Sequence, residues 1–146
     1  GKNEVLADVI DADAAARLER LRELVGEART LDELVEGLAR TLGDVMTAGE
    51  GGALAAHEFA VLASRDERVG LRQAAARRGY RDALAAILED KRRAGLIVLR
   101  DDADAVAAVL VALGQGLVGE AAADPDWDHL GAVRSAIGVV RVMLAP

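Results

Sequence analysis

Proline is almost absent from this sequence, and this absence strongly constrains the fold. Pro125 and Pro146 are the only prolines among 146 residues. Proline breaks helix interiors because it lacks a backbone N–H and clashes with the preceding turn, so no proline interrupts a helix before residue 125. The apolar residues, 52% of the chain, are mostly Ala, Leu and Val, with one Phe, one Tyr and one Trp. This composition favours helices over strands.

Length and charge set limits on function. A chain of 146 residues is one domain by length and can bury a core. Its net charge of −7 argues against nucleic-acid binding by these residues alone, since binding phosphates requires a basic surface. The absence of cysteine excludes disulfides, thiolate metal ligands and a Cys nucleophile. No signal peptide is visible, and the longest apolar run, 105–119, is short and glycine-rich for a bilayer. We therefore expect a cytoplasmic protein outside the membrane.

The spacing of apolar residues predicts six helices packed as an all-α bundle. The predicted spans are 2–25, 31–46, 53–64, 66–94, 102–123 and 128–144. Thr30 and Glu33 form a capping-box pattern at the start of the second helix, and a break is expected at 49–52. The third helix is apolar on nearly every side, which predicts a place in the middle of the bundle.

A glycine motif, Gly114-x-Gly116-x-x-Gly119, matches the dinucleotide-binding pattern. That interpretation needs a strand before the motif and a helix, second strand and acidic residue after it, but Asp124-Pro125-Asp126 stops any helix almost at once. A small nucleotide-dependent enzyme therefore stays a minor alternative. The preferred interpretation is a helix with two apolar faces. Val106, Leu110, Leu113 and Leu117 form a stripe for the core, while the small residues Ala105, Ala108, Ala112, Gly116 and Gly119 allow another helix to approach closely.

The sixth helix repeats this arrangement. Leu130, Val133, Ile137 and Val140 form one apolar stripe, and Gly138 lies between Arg134 and Arg141 on another face. We interpret the last two helices as a homodimer seam, in which two chains form a four-helix bundle. A fully intramolecular bundle is the rival interpretation.

Several segments resemble the effector-binding domain of TetR-family transcriptional regulators. Lys2-Asn3-Glu4-Val5-Leu6 is similar to the end of that family's DNA-binding domain, where a long connecting helix begins. Ala63-Ser64-Arg65-Asp66 with Leu71 resembles the family's Ala-x-x-Asp-Pro-x-Leu entry to a long helix, although Glu67 replaces the proline. The segments that resemble the penultimate helix and its surroundings are Gly95-Leu96, Asp102-Ala103-Asp104 and Gly116-Leu117.

The resemblance implies a C-terminal effector-binding and dimerisation domain over residues 1–146, with 1–25 as the connecting helix from a missing N-terminal helix-turn-helix domain. It implies a ligand-responsive homodimeric repressor that meets operator DNA only through that missing domain. Ligand bound between the helices would change the separation of two DNA-reading domains. A stand-alone helical protein-interaction module, without ligand or DNA, is the alternative.

Candidate ligand contacts are polar or large residues within apolar helices, because binding sites are mostly apolar with a few placed polar groups. His57 is either a ligand contact or a satisfied core histidine, and Glu58 is either a ligand contact or a salt-bridge partner of Arg77 or Arg81. Gln115 either orients a ligand or crosses the dimer seam. The scarcity of aromatic residues favours a small, mostly apolar effector. The full candidate set is Met46, His57, Glu58, Phe59, Leu62, Tyr80, Leu84 and Gln115.

The residues give little support to an enzyme, a cofactor or a metal site. Position 61 is Val where a zincin would carry its second His after His57-Glu58, and the other histidine, His129, lies far along the chain. Two histidines without cysteine make a zinc site improbable. No nucleophile elbow or Ser-His spacing is present. We therefore expect no catalytic activity and no cofactor.

Overall fold

The computed structural model describes residues 1–46 and 52–146, and their side chains apart from positions 3, 52–57 and 59. Within these ranges there is no strand, which confirms the predicted all-α bundle. The first helix ends in a π-helical turn, Arg22–Gly26, where the sequence predicted a plain helix to residue 25. The α-helices are α1 (Lys2–Leu21), α2 (Leu31–Met46), α3 (Gly52–Arg65), α4 (Glu67–Arg93), α5 (Ala103–Ala123) and α6 (His129–Leu144).

Three of the helices begin at an aspartate that accepts hydrogen bonds from otherwise unpaired backbone amides. Asp66 caps α4 with bonds of 3.0 and 3.2 Å from the amides of residues 68 and 69. Asp102 and Asp128 cap α5 and α6 in the same way, at 2.8 and 3.0 Å. These caps explain why the boundaries predicted for the second half of the chain hold to within a residue.

The capping box predicted at α2 is only half formed. The Thr30 hydroxyl accepts from the Glu33 amide at 3.1 Å, as expected. The Glu33 carboxylate accepts from the Arg29 amide at 2.7 Å instead of the Thr30 amide. Glu33 therefore reaches one residue further back and ties the loop before α2 to its first turn.

One end of the bundle is a closely packed apolar core, which we call the packed end. It joins the end of α1, the start of α2, the end of α4, the 96–99 segment, the start of α5 and the end of α6. Its largest side chains are fully shielded from solvent because each lies on the inward face of its helix. Its members include Leu21, Val25, Leu34, Leu84, Leu88, Ile97, Val106, Ala107 and Leu144.

Two cations fasten the packed end by donating to backbone carbonyls. The Lys91 ammonium donates to the carbonyls of Gly26 and Ala28 at 2.7 and 2.6 Å, which joins α4 to the end of the π-helical turn. The Arg100 guanidinium donates to the carbonyls of Val142 and Met143 at 3.1 and 2.6 Å, at the C-terminus of α6. Helix C-termini expose unpaired carbonyls with a partial negative charge, so a cation is stabilising there.

Two glycines are required by the backbone at this end. Gly37 brings α2 so close to the π-helical turn that a Cβ would lie 2.2 Å from the Leu24 carbonyl oxygen. Gly95 ends the long fourth helix with a φ of 79°, in the left-handed region that favours glycine. The 96–99 segment that follows is not a strand. It runs past the end of α6, where the Val98 amide donates to the Leu144 carbonyl at 3.0 Å.

The predicted place of the third helix is wrong for the side chains that the structure describes. Glu58 is exposed, and none of residues 60–65 is buried. α4 packs against α1, α3 and α5. The predicted α6 stripe needs a second correction, because Leu130 is 62% exposed whereas Val140 is buried. An apolar residue can also serve an outer face, so composition alone did not locate the core.

Candidate ligand-binding site

A cavity of about 390 Å³ lies among α1, α2, α4, α5 and α6, next to the packed end. Its volume falls in the range of small-molecule sites, roughly 300–1,000 Å³. The wall nearest the packed end is apolar, and Leu84 belongs to both regions. The apolar side chains on this wall include Val35, Leu38, Leu84, Leu110 and Val140.

Small residues are part of the lining on every side. Each helix around the cavity contributes at least one residue with little or no side chain, beside larger apolar ones. The five small residues, one from each helix in chain order, are Ala14, Ala39, Ala76, Gly114 and Ala136.

The polar groups of the cavity come mainly from α1 and α4. Asp13 and Arg17 form an ion pair on one face of α1, with Arg17 Nε 2.7 Å from Asp13 Oδ2. Arg77 on α4 donates from Nη2 to Gln115 Oε1 on α5 across 3.4 Å. The cavity is therefore amphipathic, with an apolar wall against the packed end and charged groups elsewhere. The polar lining residues are Asp13, Arg17, Thr41, Gln73, Arg77, Tyr80 and Gln115.

Tyr80 lies between these two kinds of wall. Burial raises the pKa of its phenol above 10.0, although the neighbouring Thr41 hydroxyl and the Arg17 charge act in the opposite direction. Burial disfavours the charged phenolate because a low-dielectric surrounding solvates it poorly. Tyr80 is therefore a neutral phenol at physiological pH, able to donate or accept a hydrogen bond.

Arg77 is a polar group of the cavity with an unsatisfied donor. Its Nε is shielded from solvent and has no hydrogen-bond partner. In the described part of the chain, its guanidinium forms no ion pair with a carboxylate. The contact to Gln115 at 3.4 Å is long for a hydrogen bond. The guanidinium thus brings a positive charge to the cavity without an acidic partner.

The predicted ligand contacts are divided by the structure. Tyr80, Leu84 and Gln115 line the cavity, whereas Met46, Glu58 and Leu62 lie outside its lining. The predicted pairing of Glu58 with Arg77 or Arg81 is not formed among the described side chains. The side chains of His57 and Phe59 lie outside the described residues. Ligand contact itself stays a prediction for the whole set.

The charged lining residues Asp13, Arg17 and Arg77 were not among the predicted ligand contacts. The signal was present in the spacing: Gln73, Arg77, Tyr80 and Leu84 recur every three or four residues and so share one side of α4. On α1 the same spacing joins Ile10, Asp13 and Arg17 to that site. A polar residue that shares a helix face with buried apolar residues therefore indicated a cavity wall.

The outer face of α5 and α6 leaves apolar surface uncovered. Val109, Val139 and Val142 are 52%, 55% and 71% exposed. A Cβ added to Gly116, Gly119 or Gly138 would meet no atom within 4 Å. Ala108, Ala112 and Arg134 are exposed on the same two helices, and Ala105 is half-buried. Arg141 has a partner within the chain, since its guanidinium binds the Asp32 carboxylate. The predicted dimer residues thus lie on a surface open to a second chain.

The same geometry bears on three other features: the glycine motif, metal binding and membrane spanning. The glycine motif lies wholly inside α5, so Gly114–Gly119 does not form the strand-to-helix turn that holds a dinucleotide phosphate. No group of three or more His, Asp or Glu side chains is placed to hold a metal ion in the described residues. In that same portion, α5 is the one helix with the length and hydropathy to cross a membrane. It is longer than the apolar run considered from the sequence, and its inner side lines the cavity.

Comparison with known proteins supports the fold. No protein-family model matches the sequence, and no curated protein matches it significantly. Among solved structures, the chain is similar to Escherichia coli NemR in its reduced form, with a TM-score of 0.75 and 20% sequence identity. The match covers 96% of this chain and 72% of the NemR chain. The likeness shows that the two share a fold across nearly all of this chain.

Proposed function

We propose that this chain is the ligand-sensing and dimerisation part of a TetR-type transcriptional repressor. The observation that carries this proposal is the cavity of about 390 Å³ with an apolar wall and a few polar groups. A cavity of this kind suits a small, mostly apolar effector. The motifs that resemble TetR-family regulators and the fold shared with NemR support a regulator in general terms. The proposal involves no catalysis, no cofactor and no membrane, and places the protein in the cytoplasm.

The link from effector to DNA would run through α1. Val9, Ile10, Asp13 and Arg17 on this helix line the cavity, so an occupant contacts α1 directly. We expect operator DNA to be bound by a helix-turn-helix domain outside these 146 residues, joined through α1. A ligand shifts the equilibrium between two positions of α1 only to the extent that its affinity for the two positions differs. Thiol-based sensing has no place in this proposal, because the sequence contains no cysteine.

A matched pair of α4 variants tests the effector site. Ala76 lines the cavity, whereas Ala86 is exposed on the same helix. A screen of small apolar molecules by thermal unfolding should give ligands that raise the melting temperature, since binding to the folded state alone stabilises it. Ala76→Phe should fill the cavity and abolish the shift, and Ala86→Phe should preserve it. A screen without any shift, or a shift equal in both variants, would reject the effector site.

The homodimer needs its own test. Apolar surface on α5 and α6 should be covered by a second copy, because an exposed patch of this kind is a typical interaction site. Sedimentation should give a dimeric mass for the wild type and a monomeric mass for Val109→Asp. Leu71→Asp is the control, since Leu71 is 66% exposed but lies on α4. A wild-type mass that stays monomeric as concentration rises would remove the dimer from the proposal.

The alternative is a stand-alone helical module that binds another protein. The same exposed valines favour it, because they do not specify which chain covers them. This alternative predicts a monomer that binds no small molecule in the thermal screen. The two experiments above therefore separate it from the regulator.

A further inference from the structure

The cavity contains a positive charge that the chain itself does not neutralise. Arg77 lines the cavity, is half-buried, and has an Nε that is shielded from solvent without a partner. An N–H donor that is shielded from water without an acceptor carries a desolvation cost, which a ligand that supplies the acceptor would remove.

The other ionised groups around the cavity leave this charge in place. Asp13 and Arg17 compensate each other through a contact of 2.7 Å. Arg72, five residues before Arg77 on a more exposed side of α4, is paired with Asp11. Among the described lining residues, Asp13 is the one carboxylate, whereas Arg17 and Arg77 are both guanidinium groups. The remaining positive charge belongs to Arg77.

Two N–H donors of Arg77, at Nε and Nη2, match the shape of a carboxylate. The Nε–H has no acceptor, and Nη2 makes only the long contact of 3.4 Å to Gln115. These two N–H groups lie on one edge of the planar guanidinium and can donate to both oxygens of a carboxylate. Gln115 and Gln73, which also line the cavity, add neutral hydrogen-bonding groups nearby.

The rest of the cavity requires an apolar body in the same molecule. Leu84 and Val140 on its inner wall are buried members of the packed end. A ligand that reached only Arg77 would leave this apolar wall without contacts. We propose that the effector is an amphipathic monoanion: its carboxylate, or a similar small anionic group, binds the Arg77 guanidinium, and its hydrocarbon part lies against Leu84 and Val140. This inference rests on the proposed effector site and specifies its ligand class.

Three probes of equal chain length but different head groups separate this inference from the effector site itself. Octanoate, octanol and octylamine are titrated by calorimetry into the wild-type chain at neutral pH. Octanoate should bind more tightly than octanol by roughly ten- to hundredfold, the value of hydrogen bonds to a charged donor. Octylamine should bind more weakly than either, because its ammonium would meet a like charge.

Three variants on α4 locate the effect. Arg77→Met keeps an unbranched apolar stem and removes the charge, so the preference for octanoate over octanol should disappear. A cooperative thermal unfolding transition of the variant without ligand shows that it is folded. Arg77→Lys should recover part of the preference, since a point charge cannot donate from two positions on one edge. Arg78→Met is the control on the exposed side of the helix and should leave all three affinities unaltered.

The failures are distinguishable. Equal affinity for octanoate and octanol, or a preference that persists in Arg77→Met, overturns the anionic ligand class but leaves a functional apolar effector site. Tighter binding of octylamine overturns it as well. Absence of binding by all three probes, with no response of the chain in the broad screen either, rejects the effector site together with this inference.

Discussion

The packed end and the cavity are built by the same helices but differ in what those helices place inside. At the packed end, Leu and Val side chains from each helix meet and exclude solvent. Towards the cavity, the same helices add small residues and polar groups to the Leu and Val side chains that line it. The packed end thus sets the spacing of the helices, and the cavity uses that spacing to keep a space open. Each of these helices therefore contributes to stability along one part of its length and to binding along another.

The largest expected effect is at the packed end. Leu88 is fully buried there, so Leu88→Ala should reduce the free energy of unfolding by about 3–4 kcal/mol. Leu117, a half-buried residue of the cavity wall, already borders empty space, so Leu117→Ala should cost about 1 kcal/mol. Urea denaturation of both variants measures the difference. Equal losses would show that the cavity wall is packed as closely as the core.

A smaller effect is expected where the packed end is fastened. Lys91→Met removes the ammonium that donates to the carbonyls of Gly26 and Ala28. Two charged hydrogen bonds to partly buried acceptors predict a loss of about 2 kcal/mol. Arg93→Met is the control: its side chain is 69% exposed beside Glu89, and exposed pairs contribute less than about 1 kcal/mol. Similar losses in both variants would mean that Lys91 acts as an ordinary surface cation.

The fold could be predicted from the sequence because local signals agreed with each other. Asp66, Asp102 and Asp128 mark helix starts by their chemistry, and the glycine at 95 marks a helix end. The apolar spacing of α2 and α4 predicted both helices without reference to any partner. These signals act within a few residues, which is the range that a sequence shows directly.

The site depended on distances between helices, which a sequence does not show. The spacing of Arg77 puts it on the same side of α4 as Tyr80 and Leu84, but its contact with Gln115 depends on the distance between α4 and α5. Tyr80 and Leu84 were identifiable because a large residue among alanines stands out. Small residues such as Ala76 and Ala136 carry no signal of a void until the helices opposite them are known. The exposure of Glu58 on α3 was missed for the same reason.

The smallest effect concerns Tyr80, which lies at the boundary between the two regions. It is the only tyrosine in the sequence, so ultraviolet absorbance reports its ionisation alone. Burial raises the pKa of its phenol in the folded chain, and the titration midpoint should therefore lie above 10.0. The folded state holds the proton more tightly than the unfolded one, so this contribution to stability is complete below the unfolded pKa. It is lost as pH rises through the folded value.

Two variants sharpen the Tyr80 measurement. Thr41→Val removes the neighbouring hydroxyl that lowers this pKa, so its midpoint should be higher still. Tyr80→Phe should remove the absorbance change and flatten the alkaline part of the stability curve. An apolar occupant of the cavity should also raise the midpoint, because it excludes water from the phenol. A wild-type midpoint at or below 10.0 would mean that water in the cavity solvates the Tyr80 phenol. The closely packed region would then begin at Leu84, and Tyr80 would belong wholly to the cavity.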